Sequence, residues 1–158
     1  MKIILILLVI IQFSIMGKPI EVGNDWPLIS LKDQNDKPRD ISPETNLVIF
    51  VAEMDPSKIV HEVLQSETEE SLNKKKVIFV SDINKMPSLI TRFIALPKMR
   101  GYSYPIALVR EAGVTQDLPR EKGRITLFIL QKMKVKKIEY VNDKEELKKS
   151  ILEAENVK

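Results

Sequence analysis

The run 46–52, Asn-Leu-Val-Ile-Phe-Val-Ala, most constrains the fold of this chain, because it is apolar after its first residue and never alternates with polar side chains. A strand with one face in water alternates, whereas one without alternation has to be covered on both faces. Asp55-Pro56 follows at once. The acidic side chain can accept backbone N–H groups at a helix start, and the proline suits the first helical position, where its missing N–H is not needed. From there Ile59, Val63 and Leu64, with Val60 alongside, recur at helical spacing toward Leu72. Asn73 and the lysines Lys74, Lys75 and Lys76 close the element, so one amphipathic helix is expected. Residues 77–80 then form a second apolar strand ending at Ser81-Asp82.

The remaining segments extend the same alternation. Ahead of the first strand, residues 26–31 are extended and Asp33-Gln34-Asn35-Asp36 is a turn, which makes a hairpin or a lead-in loop. A second helix opens near Met86-Pro87-Ser88 and runs through Leu89, Ile90, Phe93 and Ile94, expected as its core face, until Pro97 ends or kinks it. Residues 105–109 are a short third strand with Glu111-Ala112-Gly113 as its turn. Residues 124–130 and 135–141 pair as an antiparallel hairpin. Asp143 caps a final helix with early glutamates and Leu147, Ile151 and Leu152 on one face. The fold class is therefore α/β, a mixed central sheet with helices on both faces.

Lys2, an apolar run at residues 3–16 broken only by Gln12 and Ser14, and then Gly17, Lys18 and Pro19 have the layout of a secretory signal. This 14-residue run, 12 of it apolar, falls short of the roughly 20 residues that span a bilayer as a helix. Residues 1–17 are thus expected as a signal peptide, with an uncleaved membrane tether as the alternative, and residues 18–158 as one domain. Export to the periplasm or beyond is the expected fate. The chain has no cysteine, so packing alone must hold it, and it can supply neither a disulfide nor the thiolate that disulfide exchange and peroxide reduction require.

Charge is divided unevenly. Residues 1–73 carry 6 Lys or Arg against 12 Asp or Glu, a net of −6, and residues 74–158 carry 19 against 10, a net of +9, which together give the chain's +3. A basic C-terminal half suits an acidic partner or peripheral contact with an anionic membrane, or is simply a solvated lysine-rich surface. Nucleic acid is not expected as a partner, since export removes the chain from it and the aromatics are too sparse for a base-stacking platform.

The order of these pieces resembles the thioredoxin-like superfamily, in its peroxiredoxin and exported-thioredoxin branch. The matching pieces are Trp26-Pro27-Leu28-Ile29-Ser30-Leu31-Lys32-Asp33-Gln34 with Lys37-Pro38, the strand Leu47-Val48-Ile49-Phe50-Val51-Ala52, the segment Tyr104-Pro105-Ile106-Ala107-Leu108-Val109, and the closing hairpin with its helix. In active members a redox motif follows the first core strand, and here Glu53-Met54-Asp55-Pro56-Ser57-Lys58 holds that place. These folds also put a cis-proline before the first strand of the hairpin, where this chain reads Gly123-Arg124-Ile125-Thr126. The resemblance therefore implies the fold without the chemistry.

Two groups of residues are candidates for a site. Glu53, Asp55, Lys58 and His61 gather at the start of the first helix, the end that faces the functional surface in the resembling fold. They could bind an anion or, through His61, act as base or metal ligand. Alternatively Asp55 is an N-cap, and Lys58 and His61 are exposed neighbours on the first turns. His61 is the only histidine, no zinc or iron ligand spacing occurs, and there is no nucleophile elbow and no phosphate-cradling glycine pattern, so no cofactor is expected. The second group lies within residues 86–105, where Arg92, Arg100, Tyr102 and Tyr104 combine side chains that interfaces select. The expected function is a binding or assembly module with a protein partner. Its contact residues would be Glu53, Asp55, Lys58, Arg92, Arg100, Tyr102 and Tyr104. An enzyme of thiol-independent chemistry around Asp55, Lys58 and His61 is the alternative.

Overall fold

The computed structural model describes residues 17–156, so the expected signal peptide lies outside the described residues except for Gly17. The elements are β1 (Leu47–Val51), α1 (Met54–Leu64), α2 (Glu69–Lys74), β2 (Val77–Asp82), α3 (Ser88–Ile90), a π-helical turn (Thr91–Ala95), α4 (Leu96–Met99), β3 (Ala107–Val109), β4 (Ile125–Gln131), β5 (Lys134–Val141) and α5 (Lys144–Glu155). They build one five-stranded sheet in the order β3-β2-β1-β4-β5. β1 is parallel to β2, with Leu47 opposite Val77, and β2 is parallel to β3, with Val80 opposite Ala107. β4 runs antiparallel to both β1 and β5, so the sheet is mixed. Every residue of the central strand β1 is buried, as its unbroken apolar sequence requires.

Alternate β1 residues face two cores. Leu47, Ile49 and Val51 pack with Val60 and Leu64 of α1, Leu72 of α2, Met99 of α4, and Leu147 and Ile151 of α5. Val48 and Phe50 pack with Trp26, Leu31, Ile41, Leu118 and Phe128, and the Trp26 ring meets Phe128 edge-on at 5.1 Å. Among the described residues, α1, α2, α4 and α5 thus all lie on the first face. The second, where the expectation of helices on both faces called for one, is covered by the lead-in segment and the connection after β3. That connection, Glu-Ala-Gly-Val-Thr-Gln-Asp-Leu-Pro at 111–119, carries Gly113 at φ +85° and ends in Pro119, and it folds as consecutive turns that extend the one read at Glu111-Ala112-Gly113.

Three local boundaries differ from expectation. The helix expected toward Leu72 is two helices, because Thr68 with Glu69 and Glu70 behind it is a helix start in its own right. Its hydroxyl accepts the Ser71 N–H at 3.2 Å. Glu53, not Asp55, is the N-cap residue of α1, which leaves Asp55 and Pro56 inside the first turn. The helix at residues 88–99 does continue past Pro97, but only through the π-helical turn before it. There Leu96 N–H reaches back to the Thr91 carbonyl, and the wider turn gives room to a ring that offers no N–H. The last helix starts as read: the Asp143 carboxylate accepts the N–H groups of Glu145 and Glu146, both at 2.9 Å.

The lead-in forms a tight turn on the β3 edge. Asp33 Oδ1 accepts the N–H groups of Asn35 at 2.7 Å and Lys37 at 3.0 Å, and Lys32 accepts the Leu108 N–H at 2.9 Å. A short edge strand is covered in this way.

Candidate functional site

The chain leaves β1 through Ala52 into Glu53, whose extended backbone ends the strand and opens α1. Its carboxylate does not cap the helix. It reaches across to accept the Gly123 N–H at 2.9 Å, which ties the start of α1 to the loop before β4. Gly123 stands at φ +72°, in the left-handed region that favours glycine, and among the described residues there is no cis peptide bond. Next to it Met54 is exposed. Asp55 and Lys58 pair with each other at 2.8 Å in open solvent, and the ammonium holds the Asp55 carboxyl below its ordinary range.

His61 points elsewhere. Its Nδ1 lies 2.7 Å from the Tyr104 hydroxyl, its ring stacks on Tyr102 at 4.6 Å and meets Phe79 edge-on at 5.5 Å. Tyr102 in turn stacks on Tyr104 at 5.2 Å. Burial lowers the His61 pKa to about 4, with Lys98 adding a smaller push, and burial raises that of Tyr104. The pair is a neutral imidazole and a neutral phenol joined by one hydrogen bond, pinning α1 to the segment after α4. Asp55, Lys58 and His61 therefore do not converge, and the reading of His61 as an exposed helix neighbour is corrected: the ring is drawn in by aromatic faces and a hydroxyl that sequence spacing does not reveal.

The distinctive stretch at 86–105 splits in two. Tyr104 is buried, which withdraws it from a partner, and Tyr102 is half-buried in the stack just described. Arg100 is exposed, but its Nε donates to the Gln34 carbonyl at 3.0 Å. Gln34 itself organises this region. It is 1% exposed; its Nε2 donates to the carbonyls of Tyr104 at 2.9 Å and Met99 at 3.3 Å, and its Oε1 accepts the Ile106 N–H at 2.8 Å. From sequence, Gln34 stood in a turn and at the end of the lead-in piece, with no role of its own. A polar side chain following Asp33 gives no sign that it will be buried among backbone groups 65 to 72 residues away.

The other half faces water. Leu89 is 69% exposed, Ile90 41%, Phe93 66% and Ile94 59%, although their spacing suggested a core face. The helix at 88–99 rests on the sheet through Ala95, Leu96 and Met99 instead, and this narrower stripe turns the larger one outward. The Arg92 guanidinium lies over the Phe93 ring, 5.4 Å from its centroid. Lys85, Arg92, Lys98 and Arg100 are exposed around this helix, and residues 83–110 contain no Asp or Glu at all.

Elsewhere, Asp82 at the end of β2 accepts the Thr115 hydroxyl at 2.5 Å and pairs with Arg120 at 3.5 Å; the Arg120 guanidinium covers the Phe50 ring at 5.0 Å. This cluster holds the turns at 111–119 on the sheet. A hollow of about 290 Å³ lies between Ile20, Asp25, Val114 and Asp117, and none of the candidate residues lines it. Among the described residues, no three His, Asp or Glu side chains are grouped as metal ligands.

No protein-family model and no curated protein matches the chain. Solved structures do match its fold. Peroxidoxin BcpB of Mycobacterium tuberculosis superposes with a TM-score of 0.58 at 13% identity, over 88% of this chain and 99% of that one. A putative thiol:disulfide interchange protein DsbE from Chlorobium tepidum gives 0.58 at 18%, over 86% and 99%. A putative thioredoxin from Neisseria meningitidis gives 0.55 at 18%, over 85% and 91%. The fold is thioredoxin-like, and this chain carries it without a cysteine.

Proposed function

We propose that this thioredoxin-like chain is exported and works without thiol chemistry, as a binding or assembly module that holds a protein partner in the cell envelope or outside the cell. One observation carries the reading: Leu89, Ile90, Phe93 and Ile94 stand together in water on one helix. Single exposed apolar side chains are ordinary, but four adjoining large ones mark a surface meant to be covered. The contact surface moves accordingly from the tyrosines to this helix face with Arg92. Glu53, committed to Gly123, and the Asp55–Lys58 pair lie outside it. Export rests on the N-terminal layout of Lys2, the apolar run and Gly17.

The test is a cross-linking pull-down of the intact chain from envelope and secreted fractions, read by mass spectrometry beside the Phe93→Ser/Ile94→Ser variant. A partner recovered with the native chain and lost with the variant is expected. A partner retained equally by both removes this helix face from the proposal. N-terminal sequencing of the recovered chain is expected to begin at Lys18, and recovery from the cytoplasm alone would sink export.

A further inference from the structure

We infer that the partner presents to this helix an amphipathic segment, an apolar ridge bordered by Asp or Glu side chains; the inference rests on the binding role proposed above for the same face. Charge is the first reason. The exposed cations Lys85, Arg92 and Lys98 stand beside the apolar stripe, and residues 83–110 bring no Asp or Glu of their own, so acidic flanks complement it and basic ones are repelled.

The second reason is the arginine. Arg92 is held against the Phe93 ring at the margin of the stripe. A guanidinium fixed there offers its fork to a carboxylate while the neighbouring ring takes an apolar side chain.

Size decides between a segment and a globular partner. A stripe of four side chains on one short helix falls well below the roughly 800 Å² per partner that rigid, stable interfaces bury. A single amphipathic helix or extended segment fits that span. A second copy of this chain does not: two-fold pairing through this face would set Arg92 and Lys98 of each copy against the same cations of the other.

The inference is tested with the intact chain and a synthetic amphipathic peptide carrying a leucine ridge flanked by glutamates, titrated by fluorescence anisotropy beside its lysine-flanked counterpart. The acidic peptide is expected to bind at least tenfold more tightly. Phe93→Ser and Arg92→Glu should each weaken it at least fivefold with unchanged melting temperatures, and Arg92→Glu should strengthen the lysine-flanked form. Equal binding of the two peptides, or of neither, overturns the inference. If the pull-down partner still depends on Phe93 in that case, the binding role stands and only the partner's chemistry falls; if it does not, both fall. Sedimentation with half-anionic phosphatidylglycerol vesicles that is lost in Phe93→Ser, or concentration-dependent dimerisation lost in the same variant, overturns the segment in favour of a membrane or of a second copy.

Discussion

Residues 88–94 and residues 99–106 are almost contiguous, yet they obey opposite rules. The first segment turns Leu89, Ile90, Phe93 and Ile94 to solvent, while the second buries Tyr104 and the polar side chain that holds it, Gln34. The difference is one of partners. Segment 99–106 meets the lead-in turn, whose Gln34 satisfies its carbonyls and the Ile106 N–H, and meets His61 of α1. Segment 88–94 leaves those four side chains largely in water, since Ala95, Leu96 and Met99 supply the contact of their helix with the core. Hydrophobicity decides what a residue gains by burial, and packing decides whether the gain is on offer.

The comparison breaks most readily at Gln34. Gln34→Leu keeps the volume but strands the Tyr104 carbonyl and the Ile106 N–H in a dry site, while the Met99 carbonyl keeps the Tyr102 N–H at 3.1 Å, so a loss of about 2 kcal/mol or more is expected by urea denaturation. A loss under about 1 kcal/mol would mean the clamp is ornamental. Tyr104→Phe removes only the hydroxyl facing His61 Nδ1, and about 1 kcal/mol is expected.

Acid sharpens the same contrast. Because burial lowers the folded His61 pKa from 6.5 to about 4, the unfolded chain takes up that proton first as pH falls. Stability should therefore be full above pH 6.5 and decline toward pH 4, beginning above the range where carboxylates titrate. His61→Leu should flatten the upper part of that slope, and an unchanged slope would place the titration elsewhere. The smallest effect belongs to the outward segment: Phe93→Ser should alter unfolding free energy by no more than about 0.5 kcal/mol. A larger loss would show that the ring is packed after all.

Much of the fold was legible in residue pattern. β1, β2 and the β4–β5 hairpin declared themselves by composition, and α5 by Asp143 and the spacing of Leu147 and Ile151. Less of the site was. Glu53 and the Asp55–Lys58 pair stand where expected at the start of α1, but Glu53 is engaged with Gly123, 70 positions away. His61 and Tyr104 are 43 positions apart, and no local period links them.

By itself, the sequence determined the strand and helix order, the mixed sheet, and the absence of any thiolate, because these depend on residue type and short-range periodicity. Tertiary structure alone decided which apolar helix face would be left in water, that the second face of the sheet would be covered by turns, and that His61 would turn inward. Each of those outcomes depends on which distant segment arrives to cover a surface, and a close-packed sheet accepts only one stripe from a helix that crosses it.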